Sequence, residues 1–213
     1  MKKSKISSLQ NFLTIIFISS LLVSNIITGK IIQLPFNITM TSAVIIFPVT
    51  YILSDIFSEV YGYKWSRITC YLGFLMNLFM VVIFTLAIKL PAPSWWQNQE
   101  AFQIVLGNTP RILLASLSGF VVGDFVNDNV FKKMKEKYPT SQKGFGFRAL
   151  LSSVLGEMVD SSIFLPIAFL GQMPIKTLFI MAITQVIIKV SYELIILPFT
   201  THIVKKIARY ENA

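Results

Sequence analysis

The chain has 213 residues, of which 54% are hydrophobic and only 14% are charged, and its 19 Lys and Arg outnumber its 10 Asp and Glu. Soluble domains contain about one quarter charged residues, so this composition is typical of a membrane protein. The single cysteine, Cys70, excludes a disulfide within the chain and any multi-cysteine metal site. The basic residues cluster at the ends of apolar runs, which indicates a multi-spanning membrane protein rather than a nucleic-acid partner. We expect no cofactor.

Six apolar runs follow one another along the chain, each about as long as the 20 residues that a bilayer core requires. They are Leu9–Thr28, Thr39–Val60, Ile68–Leu90, Pro110–Phe131, Arg148–Leu170 and Leu178–Val204. Pro48 lies inside the second run, where proline predicts a kink and a freed backbone carbonyl. The sequence therefore predicts an all-α integral membrane protein, with residues 1–213 forming one transmembrane domain built as a bundle of six helices.

The connecting segments give the orientation. The longest low-charge loop is Pro91–Thr109, and its Trp95-Trp96 pair is expected at the membrane interface. A basic loop, Lys132–Phe147, lies between the fourth and fifth spans. Lys189 falls within a span, and of the other Lys and Arg only Lys30, Lys89, Arg111 and Lys176 fall on one side. The opposite, base-rich side is predicted to be cytoplasmic and to hold both termini.

A pattern of polar residues occurs twice within the apolar runs. A shift of 33 positions aligns five pairs of residues: Gly123 with Gly156, Asp124 with Glu157, Val126 with Val159, Asn127 with Asp160, and Phe131 with Phe164. The two aligned polar pairs favour a pseudo-repeat in the fourth and fifth helices over chance similarity of two apolar segments. If the pattern is a repeat, these two helices are neighbours, and the six-span topology makes them antiparallel.

Most of the acidic residues lie inside predicted spans, where each costs about 2.5–3.5 kcal/mol at a helix centre. Such residues face a bundle interior or a watery cavity, or they pair with a base. The seven are Asp55, Glu59, Asp124, Asp128, Glu157, Asp160 and Glu193.

Some of these charges have simpler interpretations. Glu59 and Arg67 lie near the end of a span, where a rim salt bridge explains Glu59 as well as a function does, and Asp128 has Lys132 four residues on. Lys189 has Glu193 one turn away, and that pair either neutralises itself or serves a site. Glu157 and Asp160 are also one turn apart, so both can face one ligand.

A cavity lined by several carboxylates and amides suits a flat polar heterocycle or a small cation, and suits an inorganic anion poorly. A carboxylate accepts two N–H bonds from a guanine-like edge, an amide recognises its oxygen, and aromatic rings cover its faces. The candidate substrate-binding residues are Asn25, Tyr51, Asp55, Asp124, Asn127, Glu157, Asp160, Gln185, Lys189 and Glu193.

The run from Phe47 to Asp55, continuing through Glu59, Tyr61-Gly62 and Arg67, resembles the signature of the queuosine-precursor transporters of the vitamin-uptake-transporter group. The repeats ending in Phe131 and Phe164 agree with this resemblance, which extends from about Ser24 to Glu193. It implies a bacterial inner-membrane importer of 7-deazaguanine precursors of a tRNA base, with six helices and no ATPase of its own. The implied partners are a small purine-like substrate and the lipid bilayer, and a homodimer is open.

Two other interpretations stay open at this point. One is the substrate-binding subunit of an energy-coupling-factor vitamin importer, although the first span lacks a clear Ala-x-x-x-Ala contact motif. The other is an intramembrane enzyme, because Gly123-Asp124 is similar to part of the Gly-x-Gly-Asp motif of aspartyl membrane proteases. That motif requires glycine at Val121, and the lone His202 at a helix end supports no metal or Ser-His site. The residues therefore favour a transporter.

Overall fold

A computed structural model describes residues 6–35, 38–137 and 142–211 of the chain. Side-chain positions are described for these residues except 47, 51, 55, 128, 131, 135–137, 142–150, 197, 198 and 201. The chain divides into two compact units. Unit 1 is Met1–Lys30, Thr41–Thr109 and Tyr192–Ala213, and unit 2 is Ile31–Met40 and Pro110–Ser191.

The described part of the chain is mostly helical, and five of its helices are long and apolar enough to cross a membrane, which is consistent with an all-α membrane protein. They are Ser8–Ile27, Tyr63–Lys89, Gln99–Met134, Leu151–Phe169 and Ile175–Ile196. Each corresponds to one of the predicted spans, and the predicted second span, Thr39–Val60, has no counterpart among them.

Unit 1 is built on two of these helices, α1 (Ser8–Ile27) and α3 (Tyr63–Lys89). Helix α1 begins with a capping box, in which the Ser7 side chain accepts from the Gln10 backbone and the Gln10 side chain accepts from the Ser7 backbone. These two bonds satisfy amides that the first turn leaves without intrahelical partners. The unit's apolar core consists of Leu13, Phe17, Leu53, Ile56 and Phe57.

The segment predicted as the second span is broken into short elements. Strand β1 (Ile31–Leu34) pairs with strand β2 (Ile38–Thr41), and a 3-10 turn, Ser42–Ile45, leads into α2 (Phe47–Ile56). Pro48 lies in the first turn of α2, where its missing N–H costs nothing, so it begins this helix instead of kinking a longer one.

A π-helical turn, Phe57–Tyr61, joins α2 to α3 through Gly62. Gly62 has φ 85° and ψ 158°, a backbone conformation that is essentially restricted to glycine. The Tyr61-Gly62 pair of the sequence signature therefore has a structural reason: it lets the chain leave the π turn and start a new helix at once.

The two ends of the chain meet in unit 1. Glu211, at the end of α7 (Ile175–Glu211), accepts hydrogen bonds through Oε1 from the Ser7 hydroxyl at 2.6 Å and from the Tyr61 hydroxyl at 3.0 Å. Burial of Tyr61, together with its bond to Glu211, raises the pKa of its phenol to about 12. Tyr61 is therefore a neutral donor at physiological pH.

The segment predicted as a loop before the fourth span contains a helix, α4 (Gln99–Leu106), none of whose residues is buried. Its exposed side chains include Phe102, Ile104 and Val105, and the preceding Trp95 and Trp96 are exposed as well. A short helix with apolar side chains next to a tryptophan pair is typical of a membrane interface, and the interface position of that pair stays a prediction.

Unit 2 contains α5 (Thr109–Lys137), α6 (Gln142–Phe169) and the first half of α7. Both α5 and α6 extend into the predicted basic loop, of which residues 138–141 lie outside the described part. The apolar core is Ala115, Phe164, Leu165, Ala168, Phe169, Leu178 and Met181.

Helix α6 ends at Phe169, and Gly171, two residues further on, has φ 87°, a conformation that cannot continue the helix. The Arg111 guanidinium donates to the carbonyls of Ile167 and Leu170, both at 2.6 Å. These bonds satisfy carbonyls that the last turn of a helix leaves unpaired, so Arg111 joins the start of α5 to the end of α6.

Candidate functional site

The ammonium of Lys189 lies between two carboxylates. Its Nζ donates to Glu157 Oε2 at 2.6 Å and to Asp160 Oδ2 at 2.7 Å. The Lys189 side chain is 7% exposed, whereas those of Glu157 and Asp160 are 23% and 22% exposed. We call these three residues the Lys189 cluster; all three belong to unit 2.

Helical spacing accounts for the cluster. Glu157 and Asp160 are three residues apart on α6, so they share one face of that helix. On α7, the buried positions Leu178, Met181, Gln185 and Lys189 recur every three or four residues and form one stripe. This stripe changes from apolar to polar along the helix, because Leu178 and Met181 belong to the core of unit 2 while Gln185 and Lys189 are buried polar side chains.

Asp160 is held against α5 as well as α7. A Cβ atom placed on Gly119 would lie 2.5 Å from Asp160 Oδ1, and one placed on Gly123 would lie 3.0 Å from Asp160 Cβ. A larger residue at either position would collide with Asp160, so two glycines one turn apart allow α5 to approach Asp160 closely. Asp160 thus has one carboxylate oxygen beside α5 and the other on the lysine of α7.

The contact between α5 and α6 is reciprocal. A Cβ on Gly123 would lie 2.8 Å from the Gly156 carbonyl oxygen, and a Cβ on Gly156 would lie 3.0 Å from the Gly123 carbonyl oxygen. Gly123 also lies against Asp160, while Gly156 lies against Asn127, whose Cβ would be 3.0 Å away. Of the aligned pairs, Gly123 and Gly156 contact each other, while Asp160 and Asn127 each contact the glycine of the other helix. The order of these contacts along the chain makes the two helices antiparallel.

The Lys189 cluster also contributes to packing. Removing one partner of a buried ion pair typically costs about 3–5 kcal/mol, because the remaining charge is left without compensation. The same cluster has a chemical capacity, since two carboxylates around one position hold a cation or accept the N–H groups of a ligand. Among the described residues, no group of His, Cys, Asp and Glu is arranged to hold a metal ion.

Asn25 has a packing contact that the sequence did not predict. Its Nδ2 donates to Asn77 Oδ1 at 2.6 Å, and Asn77 Nδ2 donates to the Gly73 carbonyl at 2.9 Å. Both amides are buried, and a Cβ on Gly73 would lie 2.6 Å from Leu21 Cδ1. Hydrogen bonds and small residues of this kind hold helices together in membranes, so Asn25 joins α1 to α3. A substrate contact for Asn25 stays a prediction.

The other predicted residues are placed as follows. Asp124 is half-buried on α5, and Glu193 is half-buried on α7 in the part assigned to unit 1. Glu59 is exposed on the π turn, and Arg67 donates to the Tyr63 hydroxyl with its guanidinium 4.9 Å from the centre of that ring. The side chains of Tyr51, Asp55 and Asp128 lie outside the described residues.

Sequence reasoning missed two kinds of residue. The first is Asn77, which lies within the third predicted span, where a lone amide in an apolar run signals a partner on another helix. Gly119 begins a Gly-x-x-x-Gly spacing with Gly123, a pattern that allows close helix packing, and only the structure shows that Asp160 fills the space.

Residues 41–203 match the family model described as "Putative vitamin uptake transporter". A curated relative from Bacillus subtilis (strain 168), named "Probable queuosine precursor transporter", is 25% identical over 190 residues, which cover 89% of this chain and 82% of the relative. No solved structure matches the chain. The family and this relative are transporters, which confirms the interpretation as a transporter over an enzyme. Since the family model covers well over half of the sequence, the chain belongs to the vitamin uptake transporter family.

Proposed function

We propose that this chain imports a queuosine precursor, a 7-deazaguanine, across the bacterial inner membrane for tRNA modification. The observation that carries the proposal is the Lys189 cluster, in which two partly exposed carboxylates converge on one position inside a helical unit. The printed name of the Bacillus relative supports the same substrate class. The resemblance of the run from Phe47 to Arg67 to the queuosine-precursor signature supports it as well.

Each polar group has a role in this proposal. A carboxylate of the proposed set accepts the adjacent N–H groups of the guanine-like edge, and a buried amide such as Gln185 recognises the ring oxygen. Asn127, which lies against Gly156, and Asp124 extend the polar surface along α5. Tyr51, Asp55 and Glu193 complete the proposed set, as aromatic and acidic residues predicted to line the same cavity.

The proposed topology has six crossings and both termini in the cytoplasm. The distribution of Lys and Arg supports this orientation, because only four of these residues fall on the opposite side. The reciprocal contacts of Gly123 and Gly156 support a pseudo-repeat, which is common in transporters.

Reporter fusions test this topology. A reporter active only outside the cytoplasm, fused after Trp96, is expected to be active, and the same reporter fused after Lys137 is expected to be silent. A second reporter, active only in the cytoplasm, serves as the control and should give the opposite pattern. The same sidedness at both positions would refute the six-crossing arrangement.

The chain carries no Gly-x-x-x-x-Gly-Lys motif for ATP. We propose that uptake proceeds without an ATPase of its own and draws its energy from an ion gradient, from a partner, or from trapping of the substrate inside the cell. The alternative is that uptake requires an energy-coupling-factor partner. The next experiment distinguishes these two possibilities if the host bacterium lacks that partner.

The function is tested by uptake of labelled 7-deazaguanines in bacteria that neither make nor import them. Cells that express this chain should accumulate label in their tRNA, and cells with the empty vector should not. Labelled guanine and a labelled vitamin serve as controls for specificity. If the expressed protein reaches the membrane but promotes no uptake of the nitrile, aminomethyl or queuine forms, the proposed function is wrong.

A further inference from the structure

We propose that Lys189 is an exchangeable counter-cation: its ammonium holds the Glu157–Asp160 pair when the carrier is empty, and a primary ammonium group of the cargo takes its place. The inference rests on the proposed function, because it assigns a substrate class to the same carboxylates. It makes Lys189 a residue that determines specificity, and it predicts a preference for cargo with a primary amine over an uncharged analogue.

The first step is the geometry of the ammonium. Lys189 Nζ lies 2.6 Å from an oxygen of Glu157 and 2.7 Å from an oxygen of Asp160, so these two oxygens are at most 5.3 Å apart. A single –NH₃⁺ group has three donors and no acceptor, and it satisfies both carboxylates at once. The position is therefore already shaped for one primary ammonium.

The second step is access. The lysine side chain is 7% exposed, whereas the two carboxylates keep 23% and 22% of their side-chain surface open. Lys189 is therefore the most buried member of the cluster, and the exposed surface of the two carboxylates is where a group of the cargo would approach.

The third step is electrostatic. Two carboxylates this close repel each other, so a cation that lies between them stabilises the pair. A carrier must change conformation both loaded and empty. A resident lysine satisfies the pair in the empty state, and a cationic cargo satisfies it in the loaded state.

The fourth step is the chemistry of exchange. Lysine carries a compact charge on a flexible side chain, so its ammonium can move away from the carboxylates easily. Arginine would hold a carboxylate through two parallel hydrogen bonds, both of which would have to break. An aminomethyl group on a 7-deazaguanine presents the same ammonium. A nitrile at that position carries no charge and cannot replace Lys189.

A fixed clamp between α6 and α7 is the competing role for Lys189. A clamp contributes to folding and treats all cargo alike, whereas exchange predicts that changes at Lys189 act differently on charged and uncharged cargo. The ratio of the two uptake rates therefore separates the roles, and it does not depend on the amount of protein in the membrane.

The experiment measures uptake of labelled aminomethyl and nitrile 7-deazaguanine by the wild type, Lys189→Gln and Lys189→Arg. The wild type should prefer the aminomethyl form. In Lys189→Gln, the half-saturating concentration of the aminomethyl form should fall by about threefold or more, with no such fall for the nitrile form. In Lys189→Arg, uptake of the aminomethyl form should fall selectively, because the guanidinium fork holds both carboxylates. Lys176→Gln, an exposed lysine at the start of α7, is the matched control.

If the Lys189 variants change the uptake of both compounds equally, or if the wild type does not prefer the aminomethyl form, the exchange proposal is wrong. Lys189 would then be a fixed clamp between α6 and α7. If Lys189→Gln fails to accumulate, Lys189→Arg decides, since a clamp predicts near-normal uptake of both compounds by this variant. Absence of uptake of both compounds by the wild type would instead refute the proposed function.

Discussion

Asp160→Asn is expected to lower the initial rate of precursor uptake by about tenfold or more, a loss of roughly 1.4 kcal/mol. The reason is that Asp160, on α6, contacts both α5 through Gly119 and α7 through Lys189. Asparagine keeps the size of the side chain but removes its charge, so the Lys189 ammonium loses a charge-assisted hydrogen bond. The measurement is uptake in cells, normalised to the amount of protein in the membrane.

Glu59→Gln is the matched control, because Glu59 is an exposed carboxylate on the π turn. It also loses one negative charge, and its uptake is expected to stay near that of the wild type. If Asp160→Asn transports as well as the wild type at matched expression, Asp160 does not bind cargo and the repeat is a packing feature.

Gly119→Ala is expected to lower uptake by about fivefold or more, which corresponds to roughly 1 kcal/mol, the lower end of the usual cost of overpacking. The added methyl would lie 2.5 Å from Asp160 Oδ1 and 3.0 Å from the Asp160 carbonyl oxygen. Because the other carboxylate oxygen is bound to Lys189, the carboxylate cannot move away without weakening that ion pair.

A double variant identifies the cause of this loss. If Gly119→Ala acts through the Asp160 carboxylate, Gly119→Ala combined with Asp160→Asn should transport no worse than Asp160→Asn alone. Val122→Ala, at an exposed position of the same helix, should stay close to the wild type. Losses that multiply in the double variant would mean that Gly119 acts through general packing of α5 on α6.

Five of the six predicted spans correspond to helices of spanning length, because the length and hydropathy of an apolar run can be read directly from the sequence. That Glu157 and Asp160 lie on the same face of one helix could be predicted as well, because two residues three apart on a helix share a face. The contact of these two carboxylates with Lys189 could not be predicted, because sequence spacing relates only residues of the same helix. It gave Glu193 as the neighbour of Lys189, and it could not show that α6 brings two further carboxylates to the same ammonium.

The departures from prediction have local causes. Thr39–Val60 has the hydropathy of a span, but β-pairing at its start and a Pro48 that suits a first helical turn divide it into short elements. Asn25 was assigned to the substrate because a polar residue in an apolar run suggests a cavity. A second amide on the neighbouring helix gives the same pattern, and the sequence does not show which helices are neighbours.

The hydrogen bond between Ser7 and Glu211 bears on how many times the chain crosses the membrane. Two side chains that touch lie on the same face of a bilayer, and a chain that starts and ends on one face crosses an even number of times. The described part of the chain has five helices of spanning length, so this contact supports the sixth crossing that we propose above. The broken stretch from β2 to the π turn is the remaining apolar segment, and Met40 and Ala43 within it are each only 1% exposed. Irregular backbone is tolerated at membrane depth only where protein covers it or where it lines a watery cavity. The run that carries the family signature would then be a discontinuous crossing, with its free backbone groups facing the interior of the protein.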